Sequence, residues 1–492
     1  MGRRRFVSFM GPIWQGKGRF STPNQLLPCR SRLPLSVNGA IRQAAGGRAM
    51  VMSRKMFAGM AGLSLAVLLA ACAGTASTDT AALVQPLSVA VDPEAPAFHE
   101  TGVRALEDRM VAYVTDGQVK GIATRLVKDG AIISDIQAGI RREADQAPLT
   151  GDTIYRIYSM SKPVTGVAML MLWEEGKFQL DDPVTRYIPE LEGLQVYKGM
   201  DKTGQPILEP VSRPPTMQEL MSHTAGFGYG LRGGDYVNDR FRELDVFASP
   251  DMDAFMDRVS SIPLLHEPGT TWDYSISVDI QGYLVEKFSG QTLGDFFQTR
   301  IFGPLGMTDT AFYVPEDKLD RFADVYLPAP GGAGFVTGDA PSFQFRKETI
   351  AFEGGGHGLV STMDDYARFA EMLLNEGTLD GAQILKPETV QMMTQDRLPE
   401  GVYVGYDGTA ADTATGVGFG LNVAVILEPA PDRAYPKGAY MWGGAAGTWF
   451  WVDPENDLYF IGMLQHFGGA GPGFDARAAS ARLVYEALED PE

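Results

Sequence analysis

The feature that most restricts the fold is the placement of strand-patterned segments at both ends of the chain's body, with helical periodicity between them. Gly121 to Val127 and Ala131 to Ile140 flank the turn Lys128-Asp129-Gly130 and read as a β-hairpin. Far downstream, Gly416 to Ile426, Ala439 to Gly444, Thr448 to Val452 and Leu458 to Leu464 read as strands again. The middle is helical or loop-rich, with helices expected over Val164 to Glu175, Met217 to Ser222, Ser277 to Ser289, Leu293 to Arg300, Met363 to Glu376 and Pro387 to Thr394. Helices over His99 to Asp116 and Ala476 to Leu488 open and close the body. Strands so far apart in sequence are best satisfied by sharing one sheet. The pattern therefore predicts a single split α/β domain over residues 97–490, an antiparallel sheet flanked by helices, with the middle inserted as a helical lobe. Ligands favour the cleft such an insertion makes.

The first 72 residues are built differently. They contain no acidic residue and eleven basic ones, whereas all 61 Asp and Glu residues lie beyond Cys72. The whole chain carries a formal charge of −19, so the body alone is more acidic still, which disfavours nucleic acid as a partner. Ser53-Arg54-Lys55, the apolar run Met56 to Leu68 and Leu69-Ala70-Ala71-Cys72 have the order of an export signal, and the run is too short to span a bilayer comfortably. Leu-Ala-Ala-Cys resembles the bacterial lipobox, which implies lipidation of Cys72. Residues 50–72 are thus expected to be a lipoprotein signal peptide. Residues 73–96, rich in Ala, Thr, Ser and Pro, are expected to be a tether. Residues 1–49 precede the signal and are read as an upstream segment from a misplaced start codon, with the start at Met50, Met52 or Met56. Ala73 after the cysteine favours the outer membrane, facing the periplasm. Cys29 and Cys72 are the only cysteines, so core burial has to hold the body together.

Three short motifs carry chemistry. In Ser159-Met160-Ser161-Lys162 a serine has a lysine three residues on, which a helix places on the same face. A serine hydroxyl needs such a neighbouring base to act as a nucleophile. A helix start at Ser159 would add backbone N–H groups and the positive dipole end near a developing oxyanion, and Pro163 is tolerated only in a first turn. Tyr274-Ser275-Ile276 offers a phenol that can relay a proton beside an ammonium group. Trp442-Gly443-Gly444 ends a strand, where glycines permit close backbone approach and Ala445 can offer an N–H to a ligand.

In this order and spacing the motifs resemble those of the serine β-lactamase and penicillin-binding superfamily, over about residues 97 to 488. Ser-x-x-Lys falls on Ser159 and Lys162, Tyr-x-Asn on Tyr274 to Ile276, and Lys-Thr-Gly on Trp442 to Gly444. Leu220 to Gly226, Pro304 to Met307 and Gly354 to Thr362 match accessory stretches. Ile276 and Trp442 depart from the lactamase pattern and are similar to family VIII carboxylesterases. The resemblance implies a β-lactamase-like fold and an acyl-enzyme on Ser159. It implies proton transfer by Lys162 and Tyr274, and an oxyanion hole from the backbone of Ser159 and Ala445. Substrate contacts are expected from Trp442, Gly443, Gly444 and Ile276, with His357 bordering the cleft and His223 structural. No cofactor and no metal are implied. The lost lysine and threonine would otherwise help hold a substrate carboxylate, so an uncharged small-molecule ester is the expected substrate. The alternatives are a β-lactamase or D-Ala-D-Ala peptidase on the same fold, or a non-catalytic envelope lipoprotein that binds cell-wall peptide. Rival signatures are poor: Gly-x-Ser-x-Gly and His-Glu-x-x-His are missing, and Gly228 to Gly233 and Gly11 to Lys17 follow no strand, as nucleotide loops would.

Overall fold

The computed structural model describes residues 98–488, apart from 232, 333, 339, 341–342, 349, 351, 406–409, 412, 431–433 and 472. Cys72, the signal, the tether and the upstream segment with Gly11 to Lys17 all lie outside the described residues.

The elements that frame the fold are, in chain order, α1 (Glu100–Thr115), β1 (Gly121–Lys128), β2 (Ala131–Arg142), β3 (Ala147–Pro148), α2 (Ser161–Glu174), α3 (Ser277–Ser289), α4 (Met363–Leu374), β4 (Val417–Phe419), β5 (Ala424–Ile426), β6 (Tyr440–Gly443), β7 (Trp449–Asp453), β8 (Leu458–Met463) and α5 (Ala476–Leu488). The eight strands form one sheet in the order β4-β5-β6-β7-β8-β1-β2-β3, and neighbouring strands run antiparallel. The first and last strands of the body lie side by side, with Ala123 opposite Met463 and Lys128 opposite Leu458. The β1–β2 turn works because Asp129 and Gly130 both take positive φ, 48° and 73°, which matches the twist of the strands.

Helices cover both faces. In β7 the side chains alternate, so Trp449 and Phe450 point to opposite sides. Trp449 Nε1 donates to Ser480 Oγ of α5 (3.3 Å), while the Phe450 ring packs against Tyr366 of α4, 5.2 Å between centroids. α1 joins α5 on the first face: His99 N donates to Ala487 O (3.1 Å), and a Cβ on Gly102 would lie 2.5 Å from Ala487 Cβ. The fold is thus of the β-lactamase-like α/β type that the motif order implied.

The region expected to be one strand, Gly416 to Ile426, is instead two. Gly420 N bonds Val423 O (2.9 Å) and Asn422 takes φ 70°, so the chain reverses into a tight hairpin. Leu293 to Arg300 begins as α-helix (Leu293–Phe297) and widens into a π turn over Gln298–Phe302. Two lobe helices were not anticipated, Tyr236–Glu243 and Met252–Ser260, each capped by an aspartate, Asp235 and Asp251. Among the described residues no helix is long and apolar enough to cross a membrane.

Candidate active site

Ser159 does not begin the α-helix. It sits in a 3₁₀ turn, Tyr158–Met160, that runs directly into α2 at Ser161. A 3₁₀ turn superposes positions i and i+3, which keeps Lys162 beneath Ser159. Tyr158 enters this turn at φ 43°, a conformation costly for a bulky residue. Its ring is clamped by Phe345 and Phe467, at 5.8 and 5.5 Å.

Lys162 is fully buried. Its Nζ donates to Gly356 O at 2.6 Å, lies 3.2 Å from Tyr229 Oη and 3.4 Å from Ser159 Oγ, and hangs 4.5 Å from the centre of the Tyr274 ring. Burial pushes the ammonium down to about 7, against the upward pull of Asp279. Tyr274 Oη donates to Ser159 Oγ at 2.7 Å, across 115 residues of chain. Serine, lysine and tyrosine are thus one hydrogen-bonded cluster. A neutral amine there can accept a proton, and the tyrosine hydroxyl can pass one.

Tyr274 owes its place to the stretch around His223. His223 has φ 60°, its carbonyl accepts from Asp273 N (3.0 Å), and its ring packs tilted against Tyr274, 5.1 Å between centroids. Its Nδ1 accepts from Ser275 N (3.2 Å), so the ring proton resides on Nε2. Burial, then the nearby Lys162, holds this histidine well below its ordinary value and therefore neutral.

Strand β6 delivers the third motif. A Cβ on Gly444 would stand 2.3 Å from Ile157 O, so only glycine lets the strand end come this close to the turn bearing Ser159. Thr448 Oγ1 ties the same loop to Ile157 O (3.3 Å), and Ala445 packs against the small apolar cluster that includes Tyr158. The indole of Trp442 lies 5.5 Å from the Tyr274 ring, and its Nε1 has no hydrogen-bond partner among the described residues. Gly443 faces the other way: a Cβ there would fall 2.4 Å from the guanidinium of Arg477 on α5.

Packing overturns the expectation for Ile276. Ile276 is completely buried in the core, and its N–H is spent on Gly228 O (3.0 Å), so its side chain is packing and cannot meet a ligand. His357 is partly exposed, and its Nδ1 is engaged by Asp279 Oδ1 at 3.1 Å. Three residues escaped the sequence reading. Tyr229 lies in the Gly228 to Gly233 loop, held there by Asn238 Oδ1, which accepts from the N–H groups of Tyr229 (3.0 Å) and Gly230 (2.8 Å). Arg477 places a cation beside Gly443, where the motif alone suggested none; its Nη2 donates to Thr448 O at 2.8 Å. Asp279 is the buried anion of the site. An aromatic three residues past the accessory motif ending at Gly226 was a visible signal for Tyr229. Arg477 and Asp279 look like ordinary helix residues until the fold is known.

Comparison with known proteins agrees with this geometry. The sequence profile of the Beta-lactamase family matches residues 103–485. Esterase EstB of Burkholderia gladioli is 31% identical over 401 residues, covering 76% of this chain and 91% of its own. A lovastatin esterase of Penicillium rubens is 32% identical over 339 residues, covering 65% and 82%. Among solved structures, EstCE1, a hydrolase with promiscuous acyltransferase activity, superposes with a TM-score of 0.63 at 24% identity, covering 79% of this chain and 98% of its own. With its fold, its three motifs and a profile match across nearly the whole described body, the chain belongs to the Beta-lactamase family, in company with esterases and acyltransferases.

Proposed function

We propose that the chain is a carboxylesterase acting through an acyl-enzyme on Ser159. The observation that carries this is the buried cluster in which Ser159 Oγ accepts from Tyr274 Oη while Lys162, poised near neutrality, lies on its other side. In this reading the Lys162–Tyr274 pair takes the Ser159 proton as Oγ attacks an ester carbonyl. The N–H groups of Ser159 and Ala445 steady the oxyanion. The C–O bond to the alcohol breaks and the pair returns the proton to the leaving oxygen. Water then adds to the acyl-enzyme, the pair takes its proton, and the acid leaves as Ser159 is regenerated. An alcohol in place of that water would give acyl transfer, the activity named for several relatives.

Small neutral esters suit Trp442, whose indole face can pack on an apolar group. One observation favours a second reading, an anionic β-lactam: the Arg477 guanidinium against Gly443. Since Arg477 is already donating to backbone carbonyls, a carboxylate has to compete for it. A hydrogen bond to a charged group contributes about 1.5–3 kcal/mol, so poor provision for the carboxylate weakens β-lactam turnover roughly 10–150-fold. We expect kcat/KM for p-nitrophenyl butyrate, divided by its uncatalysed rate, to exceed that for nitrocefin by about two orders of magnitude. Nitrocefin equal to or ahead of the ester on that scale would replace the esterase reading with the lactamase one. A protein that no fluorophosphonate labels would instead be a binder.

Anchoring belongs to the same proposal. Cys72 in its lipobox setting is read as lipidated, holding the enzyme on the outer membrane with the body in the periplasm. Two acyl chains add about 0.8 kcal/mol per buried CH₂, enough for stable attachment. Cys72→Ser should release the protein from membranes or block its processing. Unchanged membrane fractionation with no mass difference would exclude the anchor.

A further inference from the structure

Behind Lys162 lies a buried polar assembly that the acyl-transfer steps do not use. Asp279, in the first turn of α3, is completely inaccessible to solvent. Its Oδ1 accepts two hydrogen bonds, from Gly356 N (3.0 Å) and His357 Nδ1 (3.1 Å). The carbonyl of that same Gly356 receives Lys162 Nζ at 2.6 Å, the shortest of the lysine's contacts given above. One residue earlier, Gly355 O accepts from Thr165 Oγ1 of α2 (2.7 Å), and Leu359 N donates to Ser161 Oγ (3.1 Å). The loop 354–359 is thus stitched to α2 at three points and to α3 through one carboxylate. Its glycines leave no room for side chains: a Cβ on Gly356 would sit 2.5 Å from Asp279 Oδ2, and one on Gly355 2.9 Å from Val278 O.

A buried carboxylate is costly unless its charge is used. Here it does two things at once. By gripping the Gly356 N–H it aims the peptide so that Gly356 O points at Lys162. A carbonyl only accepts, so one lysine N–H is committed to it. In the neutral amine the lone pair and the second N–H are left for Ser159 Oγ and Tyr229 Oη. The carboxylate also acts on the lysine through space.

We propose that Asp279 is the positioning residue of this site, orienting the Lys162 amine through the Gly356 carbonyl and setting the pH at which that amine is ready, with His357 moderating its charge. The proposal rests on the Ser159–Lys162 reading above. The groups facing Lys162 are Ser159 from its own segment, Tyr229 and His223 from the 222–230 loop, Tyr274 from the turn before α3, Asp279 from α3, and the Gly356 carbonyl with His357 behind it. His223 is kept neutral by burial. Burial, Asp279 and Tyr274 hold the Tyr229 phenol well above its ordinary value, so it is neutral too. Asp279 is itself pushed up by burial, but His357, Lys162 and Gly356 N–H outweigh this and keep it ionised. It is the anion that raises Lys162.

The sign follows. Ester hydrolysis needs neutral Lys162, so activity falls as pH drops through the lysine's pKa. In Asp279→Asn the amide oxygen can still accept from Gly356 N, but the charge is gone. Lys162 then loses its proton more easily, and the acid limb of kcat/KM should move down by about one pH unit with the plateau largely kept. In His357→Phe the carboxylate loses its moderating partner, and the limb should move up. Asp279→Ala removes the grip on the loop as well, so kcat should fall at least tenfold with KM little changed, and Asn should restore most of it. The experiment is a pH–rate profile of the full-length protein on p-nitrophenyl butyrate for wild type and these variants, with fluorophosphonate labelling of Ser159 alongside. Opposite movements of the two limbs support the proposal. Limbs that coincide with wild type in both folded variants overturn it. If Asp279→Asn does not fold, His357→Phe decides alone: an unmoved or lowered limb overturns the proposal. Failure of wild type to be labelled at Ser159 would instead sink the underlying acyl-enzyme reading, whichever way the variants' limbs move.

Discussion

Replacing Ser159 by alanine is expected to lower ester hydrolysis by about four orders of magnitude or more while leaving the fold intact. The size follows from losing the covalent route altogether: in hydrolases whose nucleophile and base act as a unit, removal of either leaves only the contribution of substrate binding and the oxyanion hole, roughly 10³–10⁴ over water. The fold should survive because the hydroxyl's bonds are to the two groups it would react with, Tyr274 and Lys162, and not to structural backbone. Ser161 is the control. It is completely buried, and its Oγ accepts from Leu359 N at 3.1 Å, so Ser161→Ala strands a buried N–H. That change should cost about 1–3 kcal/mol of stability but spare much of the activity of the folded fraction. Thermal unfolding and p-nitrophenyl butyrate turnover of the two variants separate the roles. Full activity in Ser159→Ala with none in Ser161→Ala would place the nucleophile two residues away.

The second large effect is a failure of additivity. Lys162→Ala and Tyr274→Phe should each lower kcat by about 10²–10⁴-fold, the range for a positioned acid or base, and the double variant should lose little more. The reason is geometric. Lys162 Nζ lies over the Tyr274 ring and both reach the same Oγ, so in the proposed mechanism a proton leaving Ser159 would travel through the pair as one relay. Tyr274→Phe keeps the ring that packs on His223 and Trp442, so stability should change little. Measuring kcat for wild type, both single variants and the double variant closes the cycle. Losses that multiply would mean that lysine and tyrosine serve separate steps.

How much of this could be read beforehand depends on whether the interaction is local. Ser159 and Lys162 are three residues apart, and helical geometry alone brings such a pair together. The hairpin at Asp129-Gly130 and the helix Ser277–Ser289 were equally legible, because turn chemistry and periodicity act within a few residues. Even locally the reading had an edge: the turn at Ser159 is 3₁₀, and Asn422 broke an expected strand in two through its own positive φ. Ile276 stood at a motif position, yet only the packing of the lobe could show that its side chain faces the core.

Sequence by itself therefore determined the motifs, their order and most of the elements that carry them, since each depends on neighbours along the chain. The tertiary structure decided what surrounds Ser159 and Lys162. Tyr229 and Asp279 reach Lys162 from a loop and a helix 67 and 117 residues away in the chain, and Arg477, 315 residues away, lies behind Gly443 of the third motif. No periodicity encodes such a meeting. It arises because closing the sheet between β1 and β8 and packing the lobe against it excludes water around Lys162. Exclusion of water is a property of the assembled interior, and it is what turns an ordinary lysine into one poised near neutrality.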